Sequence, residues 1–292
     1  MTINFGGRFD QSYQYLNECQ FSPRINAVYE VDKDTKVHAG YARYFTPPPL
    51  ELEQNANPAI FDNTSNAAQI DENSPAKAER ANYYDAGVTH HFLPGLDVGL
   101  DSYYKTAVNQ LDDGQFGAAP IVTPFNYKKG RVYGTELTIN YKKGGFSSYA
   151  NAAYSRALGR QWSSAQFHFT QDDLNYVNDH WIHLDHDQSL TASAGLAYEF
   201  HKTKVYADLL FGSGLRKSAD TPNDKRVGAY NPINLGIEHT FKINDKNDIK
   251  VRFDVVNVFD EAYELRNGTG VGVAAPSFGP RRGYYGGVTW DF

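Results

Sequence analysis

The 292-residue chain has one cysteine, one methionine and no apolar run long enough to form a membrane-spanning helix. Such a helix needs about 18 or more consecutive apolar residues. The single cysteine, Cys19, excludes an internal disulfide and any zinc site built from two or four cysteines. The basic residues form no cluster and the net charge is −6, so the composition indicates no nucleic-acid partner.

The start of the chain also lacks the features of an export signal. Residues 1–5 (MTINF) contain no basic start, no apolar core and no cleavage site. If the protein is exported, we therefore expect residues 1–292 to be a natural truncation or an incomplete reading frame of something longer.

Aromatic residues, in contrast, are abundant: they make up 14% of the chain, with 21 Tyr and 18 Phe. This content is typical of β-strands and of the aromatic girdles of membrane barrels. In residues 283–292, Tyr284, Val288, Trp290 and Phe292 fall on one face of a strand, and small or polar residues fall on the other. The pattern fits a strand between lipid and water. Taken alone, it also fits an amphipathic edge strand of a soluble sheet.

The same alternation recurs along the whole chain, in about twelve segments. Short turns and long loops alternate between these segments. A polar stretch at 11–19 is predicted to be the first loop. The other predicted long loops are 46–80, 110–126, 157–186, 215–229 and 259–281. Soluble sandwiches have no reason to place every long connection at one end, whereas outer-membrane barrels do. The sequence therefore predicts an all-β fold, an antiparallel transmembrane β-barrel of about twelve strands.

Aromatic residues end these segments on the short-turn side, and they share the parity of the apolar face. We interpret them as an aromatic girdle at the membrane interface. The predicted girdle comprises Tyr29, Phe92, Tyr141, Phe200, Phe241, Trp290 and Phe292. The acidic residues predicted to face the lumen are Asp85, Glu136, Asp208, Glu238 and Asp254.

Several motifs resemble those of TonB-dependent outer-membrane receptors. Residues 254–264 (DVVNVFDEAYE) resemble the N-(L/V)-F-D-x-x-Y motif near the end of these receptors, and residues 130–136 (GRVYGTE) resemble their G-x-x-x-G-x-E strand. Residues 22–25 (SPRI) and 41–48 (YARYFTPP) are similar to the S-P-R strand and the Y-x-R-x-F-x-x-P loop start. Residues 213–216 (SGLR) and the terminal Phe292 also resemble features of this family. The motifs occur in family order over the whole chain.

The resemblance implies a location in the outer membrane of a Gram-negative bacterium. It implies uptake of a scarce nutrient, most often a ferric siderophore and sometimes haem, cobalamin or a glycan. Energy would come from the TonB complex through an N-terminal plug domain, and neither a cofactor nor enzymatic activity is implied. Family barrels have roughly 22 strands. Residues 1–292 are therefore expected to be the C-terminal part of such a barrel, without plug.

Two alternatives stay open at this stage: an autonomous twelve-stranded pore and an outer-membrane lipid hydrolase. A hydrolase needs a nucleophile beside a histidine at the lipid interface. The sequence contains no G-x-S-x-G motif and no legible Ser-His-Asp arrangement. The ligand would be chosen by loops and by a plug, so no ligand-contacting residue is predicted.

Residues 168–187 are rich in His and Asp, which are common ligands of transition metals. The weak metal-ligand candidates are His180, His183 and His186. The alternative is a solvated external loop that leads into a strand. Asp112 and Asp113 are interpreted as a solvated turn at the start of a loop.

Overall fold

The computed structural model describes residues 1–50, 58–65, 67–70, 74–116, 121–244, 247–273 and 275–291. Its strands, in chain order, are β1 (Thr2–Tyr13), β2 (Asn17–Glu30), β3 (Thr35–Thr46), β4 (Glu79–Leu93), β5 (Leu96–Phe116), β6 (Ile121–Lys143), β7 (Phe146–Trp162), β8 (Ile182–His183), β9 (Leu190–Phe200), β10 (Thr203–Gly212), β11 (Arg216–Lys217), β12 (Lys225–Arg226), β13 (Ile233–Lys242), β14 (Asp248–Val256), β15 (Glu264–Asn267), β16 (Pro276–Phe278) and β17 (Gly283–Asp291). One α-helix, α1 (Gln171–Asp179), lies between β7 and β8.

The main sheet is an antiparallel meander. Its order is β1-β2-β3-β4-β5-β6-β7-β9-β10-β13-β14-β17, with β8 attached to β7. The prediction of about twelve consecutive antiparallel strands is confirmed. Within the described residues, β1 and β17 are the two ends of the order. No described helix combines the length and apolarity that crossing a membrane requires.

The two faces of the sheet differ in polarity, as the alternation predicts. One row across five strands joins Tyr198, Val205, Ile237, Phe253 and Gly286 by direct pairing. The first four of these residues are 45–50% exposed. The neighbouring row on the other face carries groups such as Tyr206 and Asp254. A sheet face this apolar and this exposed marks a surface that another apolar phase covers.

Two predicted loops are wrong because the strands extend through them. Residues 11–19 are mostly strand: β1 continues to Tyr13 and β2 begins at Asn17, and Phe9 pairs with Phe21 in the resulting hairpin. Residues 110–116 and 121–126 are also strand, since the outer parts of β5 and β6 pair with each other; residues 117–120 lie outside the described residues. Residues 11–19 are mostly polar, but strand pairing satisfies the backbone N–H and C=O groups of a polar segment as it does those of an apolar one.

A local irregularity explains why the alternation is lost in β5. Asn109 has a left-handed backbone with φ of 53°. Before it, Val108 is 56% exposed on the apolar face, whereas after it Gln110 is 3% exposed. Gln110 packs on Gly130 of the polar face, where an added Cβ would fall 1.4 Å from Gln110 Oε1. The outer part of β5 is therefore out of phase with the inner part.

The buried core lies at the loop end of the sheet, where the outer part of β6 and strand β8 pack against the long connections. It comprises Phe125, Tyr127, Ala165, Phe167, Phe169, Leu174, Val177, Ile182, Leu184 and Val271. Helix α1 begins with a capping box in which Thr170 Oγ1 accepts from the amide of Asp173, while the Asp173 side chain accepts from the amide of Thr170. Leu174 and Val177 on the helix are buried in this core. The connection 163–189 is thus a folded cap rather than an open loop.

Candidate functional site

The long connections meet at one end of the sheet, where asparagine side chains bind them together. Asn126 Nδ2 donates to the carbonyl oxygens of Lys77 and Asn109, at 3.0 and 2.9 Å. Asn223 Nδ2 donates to the carbonyls of His183 (2.8 Å) and Val271 (3.0 Å). Asn126 and Asn223 have no exposed surface. Backbone from the connections after β3, β7, β10 and β14 is therefore held in a single loop cap.

Stacked aromatic rings form the floor of this cap. The Trp162 ring lies parallel to Tyr127 and to Phe169, with centroids 5.2 and 4.2 Å away. Phe125 packs edge-on against Tyr127 and Phe169. His168 lies in the same group and is hydrogen-bonded to Thr123. Because burial penalises the imidazolium, the pKa of His168 falls to about 4.

The three histidines that the sequence singled out have separate surroundings. The His180 ring stacks on Tyr176 with centroids 4.3 Å apart. His183 Nδ1 lies 2.9 Å from Asp187 Oδ2, beside Arg216. His186 alone lies between two carboxylates, those of Asp112 and Asp185. Metal binding by these histidines stays a prediction, and His186 is the one of the three with two carboxylates beside it.

The His186 cluster joins three segments of the cap. His186 Nδ1 is 2.9 Å from Asp185 Oδ1 and 3.5 Å from Asp112 Oδ1. On the other side of Asp185, Oδ2 accepts from Arg266 Nη1 at 2.7 Å and from the amide of Val273 at 3.0 Å. Residues of the outer β5, the 163–189 connection and the connection before β17 thus converge.

Burial and neighbouring charges change the pKa values of Asp185 and His186. Burial alone would raise the pKa of Asp185, but the hydrogen bond from His186 and the positive charge of Arg266 hold it below its ordinary value. The same hydrogen bond to Asp185 raises the pKa of His186. Asp185 is therefore a carboxylate at neutral pH, and it stabilises a cation beside it.

Asp112 is the member of the cluster that sequence reasoning missed. It was interpreted as part of a solvated turn, but its side chain is only 6% exposed. The interpretation failed because the shift of phase at Asn109 turns Asp112 away from solvent. The signal that the sequence offers is the acidic pair Asp112-Asp113 itself.

The polar face of the sheet offers a second, more open surface. Tyr149 donates to Asp208 at 3.0 Å, Tyr206 donates to Asp254, and Arg252 pairs with Asp254 at 2.9 Å. A depression of about 710 Å³ lies here, near the short turns. Its polar lining includes Asp97, Asn140, Tyr149, Lys204, Asp208, Glu238 and Arg252.

The residues predicted to form the girdle lie near the turn edge. Phe92, Phe200, Phe241 and Trp290 are 61%, 62%, 49% and 61% exposed. Tyr141, which is only partly exposed, pairs with Leu96 at the same edge. Phe292 lies outside the described residues. The girdle itself stays a prediction.

An antiparallel meander with one exposed apolar face, one polar face and its long connections gathered at one end defines the class of membrane β-barrels. The family model for the TonB-dependent receptor-like β-barrel matches residues 1–258. The chain therefore belongs to the TonB-dependent receptor family, and its sheet corresponds to part of the barrel of such a receptor. No curated protein gives a significant match.

Solved structures with a similar fold are receptors and transporters of this kind. The siderophore receptor PiuA from Acinetobacter baumannii has a TM-score of 0.69 at 14% identity, over 99% of this chain and 40% of that chain. The iron transporter FrpB from Neisseria meningitidis gives 0.65 at 15% identity, over 93% and 39%. The copper transporter OprC gives 0.64 at 17% identity, over 94% and 40%. The chain spans about two fifths of the length of these proteins.

Proposed function

We propose that this chain is the C-terminal barrel portion of an outer-membrane receptor that takes up a ferric siderophore or a similar scarce nutrient. The observation that carries the proposal is the continuous exposed row Tyr198–Val205–Ile237–Phe253 on one face of the meander. In water such a face would drive aggregation, whereas the hydrocarbon of a bilayer would cover it.

Strand lengths agree with a bilayer crossing. β9, β10, β13, β14 and β17 have 11, 10, 10, 9 and 9 residues. A tilted transmembrane strand needs about 9–11 residues. Phe200, Phe241 and Trp290 would then anchor the turn edge at the periplasmic interface, and the loop cap would face the outside of the cell. The polar face would line the lumen.

The two edge strands of the sheet have one side open for pairing. β1 and β17 end the strand order within the described residues, so each would present a row of open N–H and C=O groups. Lipid cannot satisfy such groups. In the whole receptor, further barrel strands would pair with them, and a plug domain would occupy the lumen. Energy from the TonB complex would act through that plug.

The solved structures named above are a siderophore receptor, an iron transporter and a copper transporter, and we infer a cargo from the same range. The surfaces of this chain on which we expect the cargo to bind are the loop cap and the polar face of the sheet. No feature of the described residues favours an autonomous pore or a lipid hydrolase over the receptor.

Uptake in cells tests the proposal. The chain would be produced in a strain without its own receptor, either with an export signal alone or joined to its upstream plug and strands. We expect uptake of the radiolabelled ferric siderophore only with the upstream part, and only when TonB is present. TonB-dependent uptake by the 292 residues and an export signal alone would contradict the reading as a portion of a receptor. Uptake by the joined protein without TonB would contradict receptor function.

A further inference from the structure

A cluster of one imidazole and two carboxylates lies in the loop cap, away from the depression on the polar face. We propose that Asp112, Asp185 and His186 bind one divalent first-row transition-metal ion there. The ion would join the outer part of β5 to the connection 163–189, and through Arg266 and Val273 to the connection before β17.

The spacing of the donor atoms is that of a coordination shell. Ligand atoms about 2.1 Å from a metal lie roughly 3.0 Å apart at octahedral angles and 3.4 Å apart at tetrahedral angles. His186 Nδ1 is 2.9 Å from Asp185 Oδ1 and 3.5 Å from Asp112 Oδ1. One ligand atom from each of the three residues lies within 4.8 Å of the others. An ion therefore fits with little movement of the backbone.

The buried carboxylate of Asp112 is a second, independent observation. Its side chain is 6% exposed, and Oδ2 has no hydrogen-bond partner among the described residues. Buried polar atoms are almost always paired, because losing water without a replacement is costly. Coordination to a cation would replace the lost water.

Arg266 and Val273 prepare Asp185 for this role. They occupy Oδ2 and leave Oδ1 directed at His186. Outer groups that fix the orientation of a ligand in this way are a regular part of metal sites. Metal binding requires Asp112 and Asp185 to be ionised and His186 to be neutral. In that state the two carboxylates and the one guanidinium leave one negative charge for a cation.

The donor set narrows the choice of ion. Imidazole nitrogen with carboxylate oxygen suits Zn²⁺, Mn²⁺ or Fe²⁺, whereas Cu⁺ prefers thiolate or thioether donors. A cavity of about 360 Å³ is lined by all three proposed ligands and by Thr46, Pro47 and Arg266. Water in it would complete the coordination. The proposal concerns an ion held by the cap and is independent of whether the receptor transports iron.

Calorimetric titration of the detergent-purified chain with Zn²⁺ tests the site. We expect one ion per chain, and we expect Asp112→Asn and His186→Gln each to weaken binding by about 100-fold. His180→Gln is the matched control, because His180 is in the same connection but stacks on Tyr176, and its affinity should be unchanged. Absence of stoichiometric binding, or equal losses in the His180 and His186 variants, would overturn the proposal.

A measurement on the unaltered chain covers the case in which the variants misfold. Mn²⁺ bound to the chain should show, by pulsed electron paramagnetic resonance, coupling to one histidine nitrogen. Bound Mn²⁺ without nitrogen coupling would exclude His186 as a ligand. If a proton alone bridges the carboxylates, neither metal will bind stoichiometrically, and the site is an ion-pair network.

Discussion

Asp187 and Arg216 form a nearly inaccessible ion pair beneath the loop cap. Asp187 Oδ2 accepts from Arg216 Nε at 3.0 Å and lies 2.9 Å from Arg216 Nη2, and the two side chains are 1% and 6% exposed. The amide of Ala157 donates to Asp187 Oδ1 at 2.7 Å. This pair connects the 163–189 connection with β7 and with β11.

Arg216→Met should therefore loosen the cap. The substitution leaves the buried carboxylate of Asp187 with only His183 and the Ala157 amide as partners among the described residues. Breaking a buried ion pair costs about 3–5 kcal/mol. The Ala157 amide, which depends on Asp187, should exchange its hydrogen with solvent more than about 100-fold faster. Native-state hydrogen exchange measures this directly.

Lys225→Met provides the comparison, since Lys225 is 55% exposed and lies 3.7 Å from Asp220. Exposed pairs contribute about 0–1 kcal/mol, so exchange at Ala157 should be unchanged. Equal effects of the two substitutions would show that Asp187 and Arg216 do not hold the cap.

His168 should make the cap sensitive to acid. Burial lowers its pKa from 6.5 to about 4 in the folded chain. The unfolded chain then binds more protons between these values. The contribution of His168 to the free energy of unfolding is fully present above pH 6.5. It is lost as the pH falls towards 4 and does not change further below pH 4. The loss is about 3 kcal/mol at most.

Tryptophan fluorescence, to which the partly buried Trp162 contributes, measures this loss in denaturant titrations at pH 7 and pH 4.5. His168→Asn keeps a polar group but cannot become charged in this range, so its titrations should differ less between the two pH values. A loss of the same size in wild type and variant would assign the acid sensitivity to other groups.

Phe253→Arg should destabilise the barrel in a bilayer. Phe253 is 48% exposed at the middle of β14, and it pairs with Ile237 and Gly286 on the apolar face. An arginine on the lipid face near the midplane costs about 2–4 kcal/mol. Equilibrium folding into lipid vesicles gives the difference. Asn140→Arg, on the polar face beside the depression, should cost far less. Similar costs for both would contradict the lipid-facing assignment.

The purified chain should not hydrolyse esters or lipids. One pair that resembles a hydrolytic dyad at the apolar face is Thr203 and His239, with Oγ1 2.7 Å from Nδ1; Thr35 and His90 form a similar pair at 2.8 Å. His239 otherwise contacts the ring of Phe241, and no described carboxylate is bonded to it. A lone dyad without an orienting acid is a poor catalyst. Turnover of a lipid ester that disappears in His239→Asn would favour the hydrolase instead.

The sequence by itself determined the approximate number of strands in the main meander, their order and the polarity of their two faces. A strand places successive side chains on opposite faces, so these properties are written in a period of two residues. The apolar row through Val205, Ile237 and Phe253 follows from that period alone. The short turns follow equally, because glycine and polar residues interrupt it at 142–145 and 242–248.

Only the tertiary structure decided where the strands end and which loop residues meet. The extension of β5 depends on the conformation of Asn109, which alternation does not encode. Asp112 and His186 are brought together by the aromatic core under the cap and by the bonds of Asn126 and Asn223 to distant backbone. Such contacts depend on packing between segments far apart in the chain. A local pattern therefore marked His186 as one of three candidates, and only the fold shows that it lies beside two carboxylates.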